Sequence, residues 1–267
     1  MGEWQVTELL ILKSKDAGVA TLTLNSPGSY NALSTAMLTA LRAELAALAK
    51  DAETRVVVLK AAGKAFCAGH DLKEMQAARQ APDKGRSFYE ALFGLCSDVM
   101  QMIPALPQPV IASVHGIATA AGCQLVASCD MAIAAQGVHF GVNGVNIGLF
   151  CSTPMVALSR NVPRKIAFEM LTTGQFIDAA RAAEVGLVNR VVPADYLTEE
   201  TQALAQLVAG KLTAAVKIGK RAFYDQMAMP QADAYAYAGG VIVENMLWRD
   251  TEEGINAFLE KRTPDWS

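Results

Sequence analysis

The sequence has little charge, few aromatic residues and no strong excess of either sign. Charged residues make up 18% and aromatic residues 7% of its 267 residues. The 23 lysines and arginines against 26 aspartates and glutamates leave a net charge of −3, without a basic run. Because proteins that bind DNA or RNA present clustered positive charge to the phosphates, we expect no nucleic-acid partner.

Long apolar runs are also missing, although 52% of the residues are hydrophobic. No stretch reaches the ~18 uninterrupted apolar residues of a membrane-spanning helix, so we expect no membrane partner. The first residues, MGEWQVTELLILKSKD, have no basic segment followed by an apolar one and are poor in arginine. They predict neither a secretory signal nor a transit peptide. The expected location is the cytoplasm, or the mitochondrial matrix if the protein is eukaryotic and a presequence has been removed.

Metal, disulfide and nucleotide motifs are absent as well. The five cysteines are odd in number and form no Cys-x-x-Cys pair, which argues against a zinc cluster or a disulfide framework. No Gly-x-Gly-x-x-Gly follows a strand pattern, and the Gly63-Lys64 pair lacks the earlier glycine of a phosphate-binding loop. Without a Gly-x-Ser-x-Gly elbow, an α/β-hydrolase triad is unsupported.

What the chain does contain is an alternation of strand and helix patterns. Strands are predicted over 6–13, 19–24, 55–59, 110–114, 131–135 and 187–192. Ser34 can cap a helix whose apolar stripe is Met37, Leu38, Leu41, Leu45 and Leu48. A second helix is predicted over 87–102 and is ended by Pro104, whereas the polar stretch 74–86 is expected to be mobile.

After Pro193 the pattern is helical only. Helices are predicted over 197–209, 213–227, 232–249 and 251–262, the last with Asp250 and Glu253 as a capping box. The order of elements predicts an α/β fold with a parallel sheet. It divides the chain into a core of residues 1–195 and a helical region of residues 196–267.

Two loops combine small residues with a position directly after a strand. They are GKAFCAGHDL at 63–72 and HGIATAAGCQ at 115–124. Each ends where a helix is predicted to begin, and the free N–H groups there favour a negatively charged oxygen. Two such groups aimed at one point form an oxyanion hole. The alternative is that the glycines only allow close packing, and the spacing by itself leaves both open.

These loops, in this order, resemble the crotonase family, also called the enoyl-CoA hydratase/isomerase family. The supporting segments are PGSYNAL at 27–33, GKAFCAGHDLKEM at 63–75, QPVIASVHGIATAAGCQLVASCDMAIA at 108–134, Phe140-Gly141, the run at 171–192 and EGINAFLEKR at 253–262. Segments 148–171 and 219–226 resemble one branch of that family more narrowly. The resemblance implies a crotonase-like spiral of ββα turns with a C-terminal helical region that builds trimers or pairs of trimers.

The resemblance also implies the roles of individual residues. The backbone N–H groups of His70 and Ala121 would stabilise the enolate of an acyl-CoA thioester. The residues implied to lie along acyl-CoA are Ala68, at the adenine, then His70, Asp71, Leu72 and Lys73, and from the C-terminal segment Phe258 and Lys261. Coenzyme A enters as part of the substrate, so no separate cofactor and no metal are expected.

The acid–base pair of the family's hydratases is where this sequence departs from the pattern. The two glutamates fall on Gln124 and Gly144, and residues 131–160 contain no Asp or Glu. An amide can orient water but cannot take its proton, so we expect weak hydratase activity. Glutamate can also fail at position 144 for a backbone reason, because glycine can occupy a conformation with positive φ that glutamate resists.

Other side chains have a chemical and a structural interpretation. The imidazole of His70, with an ordinary pKa near 6.5, suits acid–base work, but it can also be a loop residue without a chemical role. Cys123 lies at a helix start, where its thiol can have a lowered pKa, or it can simply pack in the core. Cys151 can be a nucleophile or a small apolar residue of the core. Structural roles are favoured for Asp71 and Glu74, which lie at a helix start, and for Asp130, His115 and His139. For Asn143 and Asn146, a role in a turn and the binding of water or substrate are equally plausible.

Three functional hypotheses remain. The first is an active lyase, isomerase or thioesterase working through the oxyanion hole. The second is a catalytically depleted acyl-CoA binder or structural protein of the same fold. The third, a cysteine-dependent hydrolase, is the least favoured. The acyl chain, the pathway and the choice between trimer and hexamer are not determined by the sequence.

Overall fold

The computed structural model describes residues 9–266 and contains the predicted alternation of strands and helices. In chain order the elements are β1 Ile11–Asp16, β2 Val19–Leu24, α1 Thr35–Leu48, β3 Val56–Ala61, α2 Leu72–Ala78, α3 Arg86–Ala105, β4 Val110–Val114, β5 Ala118–Thr119, α4 Ala121–Ser128, β6 Met131–Ala135, β7 His139–Gly141, α5 Pro154–Asn161, α6 Arg164–Thr173, β8 Ile177–Asp178, α7 Ala179–Glu184, β9 Arg190–Val192, α8 Leu197–Ala209, α9 Thr213–Gln226, α10 Gln231–Met246 and α11 Arg249–Leu259.

The strands form two sheets. The larger has the order β1-β2-β3-β4-β6-β9, and only β1 runs antiparallel to its neighbour. The smaller joins β5, β7 and β8, and it lies next to the loop at 115–124 because β5 is part of that loop. The predicted α/β class with a parallel sheet is therefore confirmed.

Helix α1 shows how the local sequence determines an element. The Ser34 hydroxyl accepts a hydrogen bond from the Met37 N–H at 3.1 Å, which satisfies an otherwise free donor at the helix start. All five residues of the predicted stripe are buried in the core, and the helix packs against α3. Removing this much apolar surface from water stabilises the fold by roughly 25 cal/mol per Å².

Several predicted boundaries were wrong. The strand predicted over 6–13 begins at Ile11 and extends to Asp16, with residues 6–8 outside the described part. The stretch expected to be mobile contains helix α2. Helix α3 continues past Pro104, where the proline removes a single hydrogen bond close to the helix end. The capping box is absent, because Glu253 binds Arg262 and the backbone N–H of Asp265 instead.

The C-terminal helices differ in how they contact the core. Helix α8 packs directly on β3, β4 and β6 of the large sheet, although it lies beyond the boundary predicted at residue 195. Helices α9 and α10 pack on each other, and α10 has no buried residue. The division into 1–195 and 196–267 stays a prediction. Within residues 9–266, no helix is long and apolar enough to cross a membrane.

A buried polar cluster attaches α9 to the core. The Lys220 ammonium donates to the carbonyls of Ile103 and Gln108 at 2.9 and 2.8 Å and to the Asp130 carboxylate at 2.7 Å. Burial lowers the pKa of Lys220, and the neighbouring Asp130 opposes that shift. The Asp130 carboxylate also accepts from Tyr224 and from the Val110 N–H. These contacts agree with the structural interpretation of Asp130.

We predict that Lys220→Met destabilises the protein by about 3–5 kcal/mol, because it leaves the Asp130 carboxylate buried without its cation. The matched control is Arg181→Gln, which breaks an exposed 2.8 Å ion pair with Glu184 and should cost at most about 1 kcal/mol. Urea unfolding followed by circular dichroism measures both. Equal losses in the two variants would contradict this account.

Candidate active site

The two loops predicted to carry chemistry lie side by side and are hydrogen-bonded through their backbones. The N–H groups of Phe66 and Cys67 donate to the Ile117 carbonyl at 3.0 and 3.2 Å, and the Thr119 N–H donates to the Cys67 carbonyl at 3.0 Å. One ring nitrogen of His115 lies 2.8 Å from the Gly63 carbonyl and connects the two loops, which agrees with the structural interpretation of this histidine.

Glycines allow this approach. A Cβ at Gly122 would overlap the Cys67 carbonyl, and one at Gly116 would overlap the Lys64 carbonyl. Gly69 has a φ of +89°, and a Cβ there would lie 3.3 Å from the Ala121 nitrogen. The glycines therefore serve close packing, and that same packing brings the backbone around His70 to the start of α4.

The backbone N–H groups of His70 and Ala121 are free. Ala121 is the first residue of α4, and within residues 9–266 neither N–H donates to a protein acceptor. Ala120 holds the turn before it with a φ of +50°, unusual for a residue with a side chain, and its own N–H donates to the Gly141 carbonyl at 2.8 Å. Two free donors next to each other can stabilise negative charge on an oxygen.

The imidazole of His70 is held by the protein on one side only. Its Nδ1 lies 3.2 Å from the Leu33 carbonyl, and its Nε2 is buried without a hydrogen-bond partner in the described part of the chain. The ring meets the edge of Phe93 with centroids 5.2 Å apart. Burial lowers the pKa of His70, while the contacts with Leu33 and Glu74 act in the opposite direction.

Gln124 and Gly144, where the resemblance implies the family's two glutamates, have contrasting surroundings. Gln124 is 4% exposed on the first turn of α4, and its Oε1 is buried without a partner among the described residues. Gly144 lies in the 3₁₀ turn Asn143–Ile147. Gly144 does not have the positive φ that glycine can occupy. What excludes a side chain there is space, because a Cβ would lie 2.8 Å from the Leu149 carbonyl and 2.9 Å from the Cys151 sulfur.

A cavity of about 480 Å³ adjoins His70 through Phe93. Its walls come from α2, α3 and the turn after the 3₁₀ helix, and they include Leu72, Met75, Tyr89, Phe93, Ile147 and Leu149. Sequence reasoning missed all of these except Leu72. The sequence signal that could have indicated this cavity is the spacing of Tyr89 and Phe93. These two aromatic residues lie one helical turn apart on α3, shortly after the first loop in the sequence.

Most of the remaining candidates are structural. Burial raises the pKa of Cys123 to about 12, so the possibility of a lowered pKa was wrong. Burial also raises the pKa of Cys151, whose sulfur accepts from the Gly144 N–H. The Asn143 amide accepts from the Thr119 hydroxyl at 2.6 Å, and Asn146 donates to the Gly174 carbonyl at 3.4 Å.

Carboxylates near the first loop also have structural partners. Asp71 accepts from the N–H groups of Lys73 and Glu74 at the start of α2, as predicted. Glu74 accepts from the Thr35 N–H at 3.0 Å. The exposed His139 contacts the Gly137 carbonyl.

The expected CoA-binding residues fall into two groups. Ala68 is half-buried beside the first loop, with its N–H donating to the Tyr30 carbonyl, and Leu72 and Lys73 are exposed at the start of α2. Phe258, 82% exposed, and Lys261 lie at the end of α11, which packs mainly on α10. The structure does not bring this second group to the loops of its own chain. Residues 9–266 contain no group of three His, Cys, Asp or Glu side chains suited to a metal.

Comparison with known proteins gives consistent matches. The family model described as enoyl-CoA hydratase/isomerase matches residues 14–267. The mitochondrial enoyl-CoA hydratase domain-containing protein 3 of Rattus norvegicus is 45% identical over 94% of this chain and 82% of its own length. The crystal structure of its human counterpart is 43% identical with a TM-score of 0.91, covering 96% of this chain and 100% of that one.

A second solved structure is described as an enoyl-CoA hydratase of Mycobacterium smegmatis. It is 55% identical to this chain, covers 97% of it and 99% of its own length, and superposes with a TM-score of 0.93. These superpositions confirm the fold class that the motifs implied.

We predict that Gly122→Ala destabilises the protein by about 1–3 kcal/mol, because the methyl group overlaps the Cys67 carbonyl and must separate the two loops. Gly94→Ala is the matched control. Gly94 is an exposed residue within α3 with no atom near its Cβ position, so alanine should stabilise by about 0.5–1 kcal/mol. Thermal unfolding reports both signs, and a stabilising Gly122→Ala would contradict the packing argument.

Proposed function

Because the chain belongs to the enoyl-CoA hydratase/isomerase family, as its motifs predicted, we propose that it is an enzyme acting on an acyl-CoA thioester. The thioester oxygen lies between the N–H groups of His70 and Ala121, which stabilise the enolate formed on it. The observation that carries this proposal is the pair of free donors that two glycine-packed loops bring together. Coenzyme A is part of the substrate, and no other cofactor is needed.

The chemistry we propose is of the lyase or isomerase type, with weak hydration. Adding water to a 2-enoyl thioester needs a base for the water and an acid for the α-carbon. Gln124 supplies neither, and the surroundings of Gly144 leave no room for a carboxylate.

The alternative function is that of a catalytically depleted acyl-CoA binder or structural protein. The buried neutral amide of Gln124 favours this alternative.

The mitochondrial names of the relatives support a location in the mitochondrial matrix if the source is eukaryotic. If it is not, we propose the cytoplasm.

We also propose that the chain assembles into a trimer or a pair of trimers. Helix α10 buries none of its residues in the monomer, although Tyr235, Ile242, Val243, Met246 and Leu247 are apolar. Leu247 is 82% exposed, as is Phe258 on α11. Large exposed apolar surfaces mark interfaces. Assembly would cover this surface, and we propose that Phe258 and Lys261 contact coenzyme A in the assembled protein.

The oxyanion assignment predicts a selective effect of Ala121→Pro. Proline is compatible with the first helical position but removes the N–H. Binding of a thioester-enolate mimic should weaken about 10²-fold, with free coenzyme A little affected. Ala121→Gly keeps the donor and is the control. Calorimetry measures both ligands, and an equal loss for both would refute the assignment.

Hydration of crotonyl-CoA should be slow. Each missing acid–base group removes about 10²–10⁴-fold, so the rate should fall far below that of a relative with both glutamates. Gln124→Glu should raise it, whereas Gly144→Glu should lower thermal stability because of the clash with the Leu149 carbonyl. The reaction is measured as the loss of absorbance of the enoyl thioester. Turnover typical of an efficient hydratase in the unmodified protein would overturn this prediction.

Sedimentation should show a trimer or hexamer at micromolar concentration. Leu247→Asp places a charge on the apolar surface of α10 and should shift the protein toward monomer. Gln136→Asp, on an exposed turn next to β7, is the control and should not. A stable monomer of the unmodified chain would contradict the proposed assembly.

A further inference from the structure

We propose that the imidazole of His70, through its Nε2, removes the α-proton of the bound acyl-CoA thioester. This rests on the proposed function, since the thioester must lie between the two free N–H groups. The residue then has two separate parts in the reaction. Its backbone N–H stabilises the enolate oxygen, and its side chain takes the proton.

The hydrogen-bond partners of the ring assign its tautomer. A carbonyl oxygen only accepts hydrogen bonds, so the contact with Leu33 requires the hydrogen on Nδ1. In the neutral ring Nε2 then carries a lone pair, and it is buried without a donor among residues 9–266. Buried polar atoms are normally paired. An acceptor left without a partner beside two free donors is suited to a proton supplied by a ligand.

The location of the ring matches the proposed substrate. The backbone next to His70 approaches the Ala121 nitrogen, as the 3.3 Å from a Gly69 Cβ shows. On its other side the imidazole contacts Phe93, which lines the 480 Å³ cavity together with Met75 and Leu149. His70 therefore lies between the proposed oxyanion donors and a cavity whose lining is mainly apolar but also includes Gln76 and Arg79. The acyl chain of the proposed substrate would lie in this cavity, with the α-carbon of the thioester next to the ring.

Among residues 9–266, the other ionisable side chains around the ring are engaged elsewhere or hold their proton tightly. From α2, Glu74 faces the imidazole but is hydrogen-bonded to the Thr35 N–H, and Asp71 caps the helix. From α3, the Tyr89 hydroxyl donates to the Met75 carbonyl. In the first loop, burial raises the pKa of the Cys67 thiol to about 12.

The proposed step is balanced without an oxidant, a metal or water. The α C–H bond breaks, its electron pair forms the enolate, and the proton moves to Nε2, giving an imidazolium. If the imidazolium first exchanges its proton with D₂O, the deuteron that it returns to C2 labels the thioester. With a 3-enoyl thioester, returning it to C4 gives the conjugated 2-enoyl thioester. A single base is sufficient for this isomerisation, so a 3-enoyl thioester is a suitable probe for the role of His70.

The test uses 3-butenoyl-CoA in D₂O with the unmodified protein, His70→Gln and His70→Ala. Both changes keep the backbone N–H, so affinity for butyryl-CoA, which has no double bond and cannot isomerise, should change only a few-fold when measured by calorimetry. Deuterium incorporation at C2 and formation of the conjugated thioester should fall at least ~10²-fold. Added imidazole should partly restore activity in His70→Ala. His139→Gln, at the exposed first position of β7, is the control and should match the unmodified protein.

The pH profile gives a second readout that a structural role would not produce. The base must be neutral, and burial lowers the pKa of His70 below its ordinary 6.5. Exchange should therefore rise with pH through a midpoint below 6.5 and then level off, and the residual activity of His70→Gln should lack this rise.

The possible results separate this proposal from the proposed function. No binding of butyryl-CoA by the unmodified protein would refute the proposed function itself. Binding without any exchange would favour a depleted binder and overturn the role of His70. Unchanged exchange in His70→Gln would overturn it too, as would a loss of binding as large as the loss of exchange.

Discussion

The site depends on one constraint, the backbone-to-backbone contact between the loops 63–72 and 115–124. The hydrogen bonds of Cys67 with Ile117 and Thr119 need the two chains at strand distance, directly before α4 begins. Gly116 and Gly122 make that distance accessible because any side chain there would meet a carbonyl. The free N–H groups of His70 and Ala121 follow from this contact. Ala121 lies at the start of α4, where the first N–H groups of a helix have no acceptor within the helix.

The chemistry that we propose depends on what surrounds those donors. The 3₁₀ turn after β7 closes on Gly144 through Leu149 and Cys151, so this position is occupied by the protein itself. Gln124 keeps the shape of a glutamate without its charge, in a place where an unpaired carboxylate would be costly to bury. A neutral environment with one histidine fits proton transfer at carbon better than the addition of water.

The C-terminal helices differ from the core in how they are held in place. Lys220 has all three of its protons bonded to the carbonyls of Ile103 and Gln108 and to Asp130, which attaches α9 at a defined position. Beyond that attachment, α10 and α11 keep apolar residues such as Leu247 and Phe258 on the surface. These apolar residues are therefore not covered by the core of their own chain.

The sequence by itself determined the elements whose signals are local. The Ser34 cap, the stripe of α1 and the strands at 19–24, 110–114 and 131–135 follow from periodicity and capping, which act over a few residues. The motifs were enough to assign the family and to find both loops. Only the tertiary structure decided that Phe93 of α3 meets His70, that Nε2 has no partner and that space excludes a side chain at Gly144. Each of these features depends on contacts between segments that are far apart in the chain, and patterns that extend over a few residues do not predict such contacts.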